Sequence, residues 1–411
     1  MRLSPVTASL FAFAFLVLLT VGAFAQDGKG ARGAVDPTDP IAVLEDRIVN
    51  GRTSLGFEPD HGFLKALLQQ LGVDPRTQIL VFSKTSLQDK LIGPATPRAI
   101  YFNDRVAVGA VQNSSVLEIM APARNGYVFY TLENKNAASP RFTKHEGADC
   151  GRCHGADALE PGLIVASTPV ARDGTPVFIP RDRPPRLFEF TDHTTPIADR
   201  WGGWYVTGSH AGQPHLGNGA FTYDDAGVRH VHNADAFSAA SLAGYFDVSR
   251  YLEPTSDIVA LMVFEHQARM TNMLLSAGVM AARTKHLSAA AVEDLLAYML
   301  FTDEAPLDGA VTGDKAFQAA FANAGPRDSA RRSLRDFDLE TRLFKYPLSY
   351  MIYSPVFAAL PPFAKQAVYA RLLGILEGQD AAPRFARLSA QDRRNILEIL
   401  RATKPDFTAA H

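Results

Sequence analysis

Apolar positions recur with two different periods along this chain, and the change from one to the other divides it. "DPIAVLEDRIVN" and "DHGFLKALLQQLG" place apolar residues at helical spacing, and Gly51 and Gly72 stand where those helices should stop. After Pro75 the pattern becomes that of strands. "TQILVFS", "RAIYFND", "RVAVGAV", "SVLEIMA" and "GYVFYTLE" are β-branched and aromatic segments separated by turn residues, with "FNDRV" and "ARNGY" as short hairpin connections. Residues 76 to 133 therefore read as an antiparallel sheet. Residues 155 to 235 are dense in Gly, Pro, Asp and His, with short strand-like pieces such as "TPVFIP" and "GGWYVTG". So long an irregular stretch inside a folded domain usually serves a function.

From about residue 236 the pattern is helical to the end. "TSDIVALMVFEHQARMTNMLLSAG" and "LSAAAVEDLLAYMLF" are helices, with Pro254 at an N-terminal turn and Ser288 as a cap. "DLETRLFKYPLSYMIYSPVFAALPPFAKQAVYARLLGILEG" reads as helices broken at Pro347, Pro355 and Pro361. In "SAQDRRNILEILRATKPD", Ser389 and Asp392 form a capping pair. The fold class expected is α+β: an antiparallel β-rich N-terminal half followed by an all-helical C-terminal half.

The first residues modify this picture. Arg2, an apolar run from Leu10 to Phe24, and small residues at Ala23 and Ala25 make the three regions of a secretory signal peptide cleaved near Ala25. The run is shorter than the roughly 20 apolar residues of a membrane span. The expected organisation is a signal peptide at 1–25, a mobile leader at 26–40, a β-rich domain at 41–235 and a helical domain at 236–411. Export to the periplasm or beyond the cell follows, with no membrane span in the mature chain.

Charge adds an exclusion. Lys and Arg number 41 against 43 Asp and Glu, with no basic block, which argues against a nucleic-acid partner and against an electrostatically held membrane surface.

The chain has two cysteines, both within "DCGRCHG", and His154 directly follows the second. Cys-x-x-Cys-His is the attachment signature of haem c. Two thiols at this spacing reach the two vinyl groups of one haem, and the next residue offers its imidazole to the iron. Cys150 and Cys153 would carry the thioethers of one covalent haem per chain, and His154 would ligate the iron. A structural zinc site would need a second compact ligand pair. A thioredoxin-like dithiol would need a helix after the motif, where a Pro/Gly-rich segment stands instead.

"CGRCHG" resembles the haem site of c-type cytochromes. The small helical members differ in having a helix before the motif and a methionine loop after it. The whole chain is more similar to large exported bacterial proteins that carry a c-type cytochrome domain, in which segments like "TPRAIYFND", "RWGGWYVTGSH" and "FKYPLSYMIYS" recur. That resemblance brings no reaction with it. A sheet running into the motif also resembles the β-sheet cytochromes that oxidise hydroxylamine, although their motif lies near the C-terminus.

Two sets of residues compete to complete the haem site. Residues 192 to 218 gather His193, Arg200, Trp201, Trp204, Tyr205, His210 and His215, and hold both tryptophans of the protein. Flat apolar walls, a cation for the propionates and a further iron ligand are what a haem pocket requires. His210 or His215 is the axial or distal candidate, and Arg200 and Trp201 belong near a propionate. His193, beside Asp192, is a proton-transfer candidate. In "FEHQARMTNM", His266 and Met270 share a helix face, as do Glu265 and Arg269. The expected function is electron transfer to and from a redox partner protein. The alternative is a haem enzyme with an open iron, peroxidase-like or oxidising a small nitrogen or sulfur compound.

Overall fold

The computed structural model describes residues 35–136, 139–145, 150, 154, 162–177, 189–224, 229–232, 239–379 and 382–409. The expected signal peptide, most of the expected leader and Cys153 lie outside these residues. Seven strands make one antiparallel sheet in the order β6-β5-β4-β3-β2-β1-β9. They are β1 (Ile79–Val81), β2 (Arg98–Asn103), β3 (Val106–Ala110), β4 (Val116–Ala123), β5 (Gly126–Glu133), β6 (Phe142–His145) and β9 (Trp204–Tyr205). Two-residue loops close the hairpins expected at "FNDRV" and "ARNGY", since Asn103 pairs with Val106 and Ala123 with Gly126. In the first, Asn103 Oδ1 accepts the backbone N–H groups of Arg105 and Val106 at 2.9 and 3.1 Å. Two small ribbons, β7 (Ala166–Ser167) with β8 (Glu189–Phe190) and β10 (Ala220–Tyr223) with β11 (Arg229–His232), stand apart from the main sheet.

Alternation assigns the two faces of the sheet. Ile79, Val81, Phe102 and Ala107 point into one apolar core, and Leu80, Tyr101, Val106 and Val108 into the other. Helices α1 (Pro40–Val49) and α2 (Leu64–Leu71) cover the second face, with Gly72 ending α2 in the left-handed conformation at φ 66°. The first face meets α3 (Ile258–Thr284), and the same core continues through α4 (Ala289–Met299) into α7 (Pro362–Leu376) and α8 (Ala390–Thr403). The sheet and the C-terminal helices thus share buried apolar surface within Asp36–His411. Short helices α5 (Lys315–Asn323), α6 (Pro355–Ala358) and α9 (Pro405–Thr408) complete the set. No described helix is long and apolar enough to cross a membrane.

The first eleven residues of α3, Ile258 to Ala268, are buried all round, as befits a central helix. Its C-terminal half instead leaves a stripe open at Arg269, Asn272, Met273, Ser276, Ala277 and Met280. That i, i+3, i+4, i+7 spacing faces one side of the helix.

Caps fall where sequence places them at Ser288 and at the Ser389–Asp392 pair, which forms a full capping box. At α3 the cap is Asp257, three residues beyond Pro254. The helix expected from Asp338 to the break at Pro347 does not form. Asp338 Oδ1 accepts the backbone N–H groups of Glu340 and Thr341 at 2.9 and 2.7 Å, a local alternative to helical bonding. Phe337 and Phe344 bridge in antiparallel fashion instead, and Pro347 removes a further donor.

Asp39 joins α1 to the sheet. Oδ1 caps the helix at Ile41 and Ala42 (3.1 and 3.0 Å), and Oδ2 accepts from the Tyr130 hydroxyl at 2.7 Å. Asp39→Ala removes the cap and strands a buried hydroxyl, so a loss of about 2–3 kcal/mol is expected in urea unfolding. Asp39→Asn, which keeps the cap acceptor, should lose less. Equal losses would contradict this division of roles.

Candidate functional site

The cysteine motif follows the edge strand β6 in the sequence. Cys150 is half-buried. His154 is held on two sides. Its Nδ1 lies 2.9 Å from the Gly162 carbonyl, and its ring stands 5.6 Å from the Phe129 ring on β5. Burial lowers its pKa more than the Gly162 bond raises it, so at neutral pH the imidazole is neutral. A neutral ring next to a carbonyl donates from Nδ1, and Nε2 then carries the lone pair.

The segment that supplies this carbonyl is pinned to α3. Leu163 N–H donates to Asn272 Oδ1 at 3.0 Å, and Asn272 Nδ2 donates to the Leu163 carbonyl at 2.8 Å. The Tyr127 hydroxyl on β5 donates to the same Oδ1 at 2.5 Å. Only glycine fits at 162, because a Cβ there would stand 1.8 Å from a Tyr127 ring carbon.

Residues 163–165 form one wall of a cleft of about 870 Å³. The open stripe of α3 also lines it, together with Ser288, Ala291 and Leu295. Thr191, Asp192 and Glu265 line it as well.

Glu265 belongs to a buried polar cluster that sequence spacing did not assemble. Its Oε2 accepts from Arg200 Nη1 at 3.2 Å and its Oε1 from the Thr191 hydroxyl at 2.7 Å. Arg200 also donates from Nε to the Thr195 carbonyl (2.7 Å) and from Nη2 to the His193 carbonyl (3.1 Å), so all three of its nitrogens are engaged. Burial raises the Glu265 carboxyl above its ordinary value, and Arg200 offsets only part of that rise. Arg269, one turn along from Glu265, faces the cleft.

His193 does not turn to Asp192, whose carboxylate accepts from Thr194. Its Nδ1 meets His266 Nδ1 at 2.8 Å, and His266 Nε2 lies 2.7 Å from the Ser349 hydroxyl. Desolvation lowers both imidazoles, His266 to about 3. Both rings are therefore neutral at pH 7, and one of them carries its proton on Nδ1. The buried His193 Nε2 has no hydrogen-bond partner among the described residues.

His210 and His215 form a third group. Their rings pack edge-on at 4.7 Å, and His215 packs on Trp201 at 5.3 Å. Trp201 is fully buried with φ 70°. This loop touches the ribbon strand β7 that lies after the cysteine motif in sequence: Trp204 Nε1 donates to the Ala166 carbonyl (2.8 Å) and Gly202 N–H to Ser167 Oγ (2.9 Å). Met270 lies in the apolar core.

The predicted residues thus separate. Arg200 and His193 join Glu265 and His266, His210 and His215 stay with Trp201, and His154 is tied to β5 and α3. Sequence reasoning missed Asn272, Met273 and Ser349. The spacing of small and polar residues along 269–280 was the available signal for the first two.

Among the described residues, no group of three or more His, Cys, Asp or Glu side chains is arranged to hold a bare metal ion. No family model, no curated protein and no solved structure matches this chain.

Proposed function

We propose that this chain is an exported mono-haem c-type cytochrome that transfers electrons, with haem c bound to Cys150 and Cys153 and His154 as an iron ligand. The observation that carries the reading is the hydrogen bond from His154 Nδ1 to the Gly162 carbonyl. Metal-ligating histidines regularly spend their second nitrogen in this way, which fixes the ring and directs Nε2 to the metal. Burial favours the neutral imidazole that ligation requires. The group supplies a one-electron couple at the iron. This chain's own residues supply the thiols, a fixed imidazole and an apolar surround. A soluble redox partner and a location in the periplasm or outside the cell complete the proposal.

Expression in cells that mature c-type cytochromes tests it. The protein should keep a haem-stained band on denaturing gels, and Cys150→Ala with Cys153→Ala should abolish it. The ferrous spectrum should not respond to carbon monoxide, because an electron carrier has both axial positions filled. Rapid carbon monoxide binding by the wild type would exclude a six-coordinate carrier and favour a haem enzyme.

A further inference from the structure

We infer that Asn272, on α3, is a positioning residue for the proposed iron ligand: it fixes the Gly162–Leu163 peptide, and through that peptide the imidazole of His154. The helical half of the chain thereby sets the reduction potential of the iron. The inference rests on the covalent haem proposed above and deepens it.

One peptide unit carries the link. The Gly162 carbonyl accepts from His154 Nδ1 at 2.9 Å, and the N–H of the same unit, on Leu163, donates to Asn272 Oδ1 at 3.0 Å. A peptide unit is planar and rigid, so holding its N–H aims its carbonyl. Asn272 holds Leu163 twice, because Nδ2 also donates to the Leu163 carbonyl at 2.8 Å. A single bond would leave the unit free to swing, whereas two bonds to one residue restrain its rotation. Donation to Oδ1 also polarises the peptide and strengthens the Gly162 carbonyl as an acceptor.

Strand β5 braces the same unit. Tyr127 and Phe129 stand two residues apart, on one face of the strand. The Tyr127 hydroxyl donates to Asn272 Oδ1 at 2.5 Å, and the Phe129 ring stands 5.6 Å from the His154 ring. Burial raises the pKa of the Tyr127 hydroxyl, so it keeps its proton as a donor. That donation fixes which end of the Asn272 amide faces the Leu163 N–H. Nδ1 and Nε2 lie on different edges of the imidazole, so the bond to Gly162 leaves Nε2 to the iron.

A firm bond from Nδ1–H to a carbonyl makes the imidazole a more basic ligand, which favours ferric iron. Asn272→Leu frees the peptide to turn and weakens that bond. It should retain covalent haem and shift the ferrous-to-ferric ratio at a fixed applied potential roughly tenfold toward ferrous, a rise of about 59 mV for one electron. The His154 Nδ1 proton, followed by NMR in the ferrous protein, should exchange with water about tenfold faster. Tyr127→Phe removes one bond to Asn272 and should move both readings in the same direction by less. Ser276→Ala, one turn farther along the same open stripe, should move neither. Wild-type potential and exchange in an Asn272→Leu protein with covalent haem would overturn the inference, as would an equal shift in Ser276→Ala. If Asn272→Leu does not accumulate, Tyr127→Phe decides, and wild-type values there overturn it. Absence of covalent haem from the wild type would instead refute the underlying reading.

Discussion

Arg200→Leu should destabilise the protein by about 3–5 kcal/mol, the range for breaking a buried ion pair by removing one partner. The Arg200 and Glu265 side chains are 2% and 0% exposed, so neither charge has water to fall back on. Without the guanidinium, Glu265 must protonate or remain a buried anion, and the carbonyls of His193 and Thr195 each lose a donor. Arg200→Leu with Glu265→Leu removes both charges and should recover much of the loss. Urea unfolding of the two single variants and the double variant closes the cycle. A single-variant loss below about 1 kcal/mol, the size seen for exposed pairs, would contradict the buried-pair description.

Glu304→Gln should stabilise the protein increasingly as pH rises from about 4.5 to about 7, and by a constant amount above that. Burial raises the Glu304 carboxyl to about 7, despite its bond from the Leu343 N–H at 2.8 Å and the more distant pull of Arg200, Arg342 and Arg387. A folded-state pKa above the unfolded value means that the folded protein binds the extra proton. Below about pH 4.5 the group is protonated in both states and exerts no effect. Stability then falls as pH rises to about 7 and levels off beyond it, with a penalty of about 3 kcal/mol. Glutamine keeps the acceptor for Leu343 and carries no charge. Melting curves near pH 4 and pH 8 should therefore differ little in the first case, and favour the variant in the second. A difference that does not change with pH would refute this account of Glu304.

Local features of the fold were legible in the sequence, because local rules determine them. The strands from Ile79 to Glu133 follow from alternation and turn residues, and the caps at Ser288 and Ser389 from side chains that bond their own neighbours. Where a local rule competed with periodicity, the reading failed: the apolar spacing after Asp338 suggested a helix, and the Asp338 side chain took the backbone donors.

The candidate site divides in the same way. Cys-x-x-Cys-His is contiguous and visible. The partners that shape its surroundings are remote: His193 meets His266 across 73 positions, Arg200 meets Glu265 across 65, and Asn272 reaches Leu163 across 109. No period encodes such pairs, since tertiary packing alone brings them together. His210 and His215 attracted attention by density in sequence, and the structure packs them with each other and with Trp201. The open stripe on α3 was encoded in its spacing, but its meaning depends on where residues 163–165 lie.

The intact mass of the protein purified from cells that mature c-type cytochromes tests the central claim most directly. The account predicts one mature polypeptide plus one haem, with both thiols consumed and the haem retained after denaturation. A polypeptide of unmodified mass, or one lighter by two hydrogens through a Cys150–Cys153 disulfide, would contradict it.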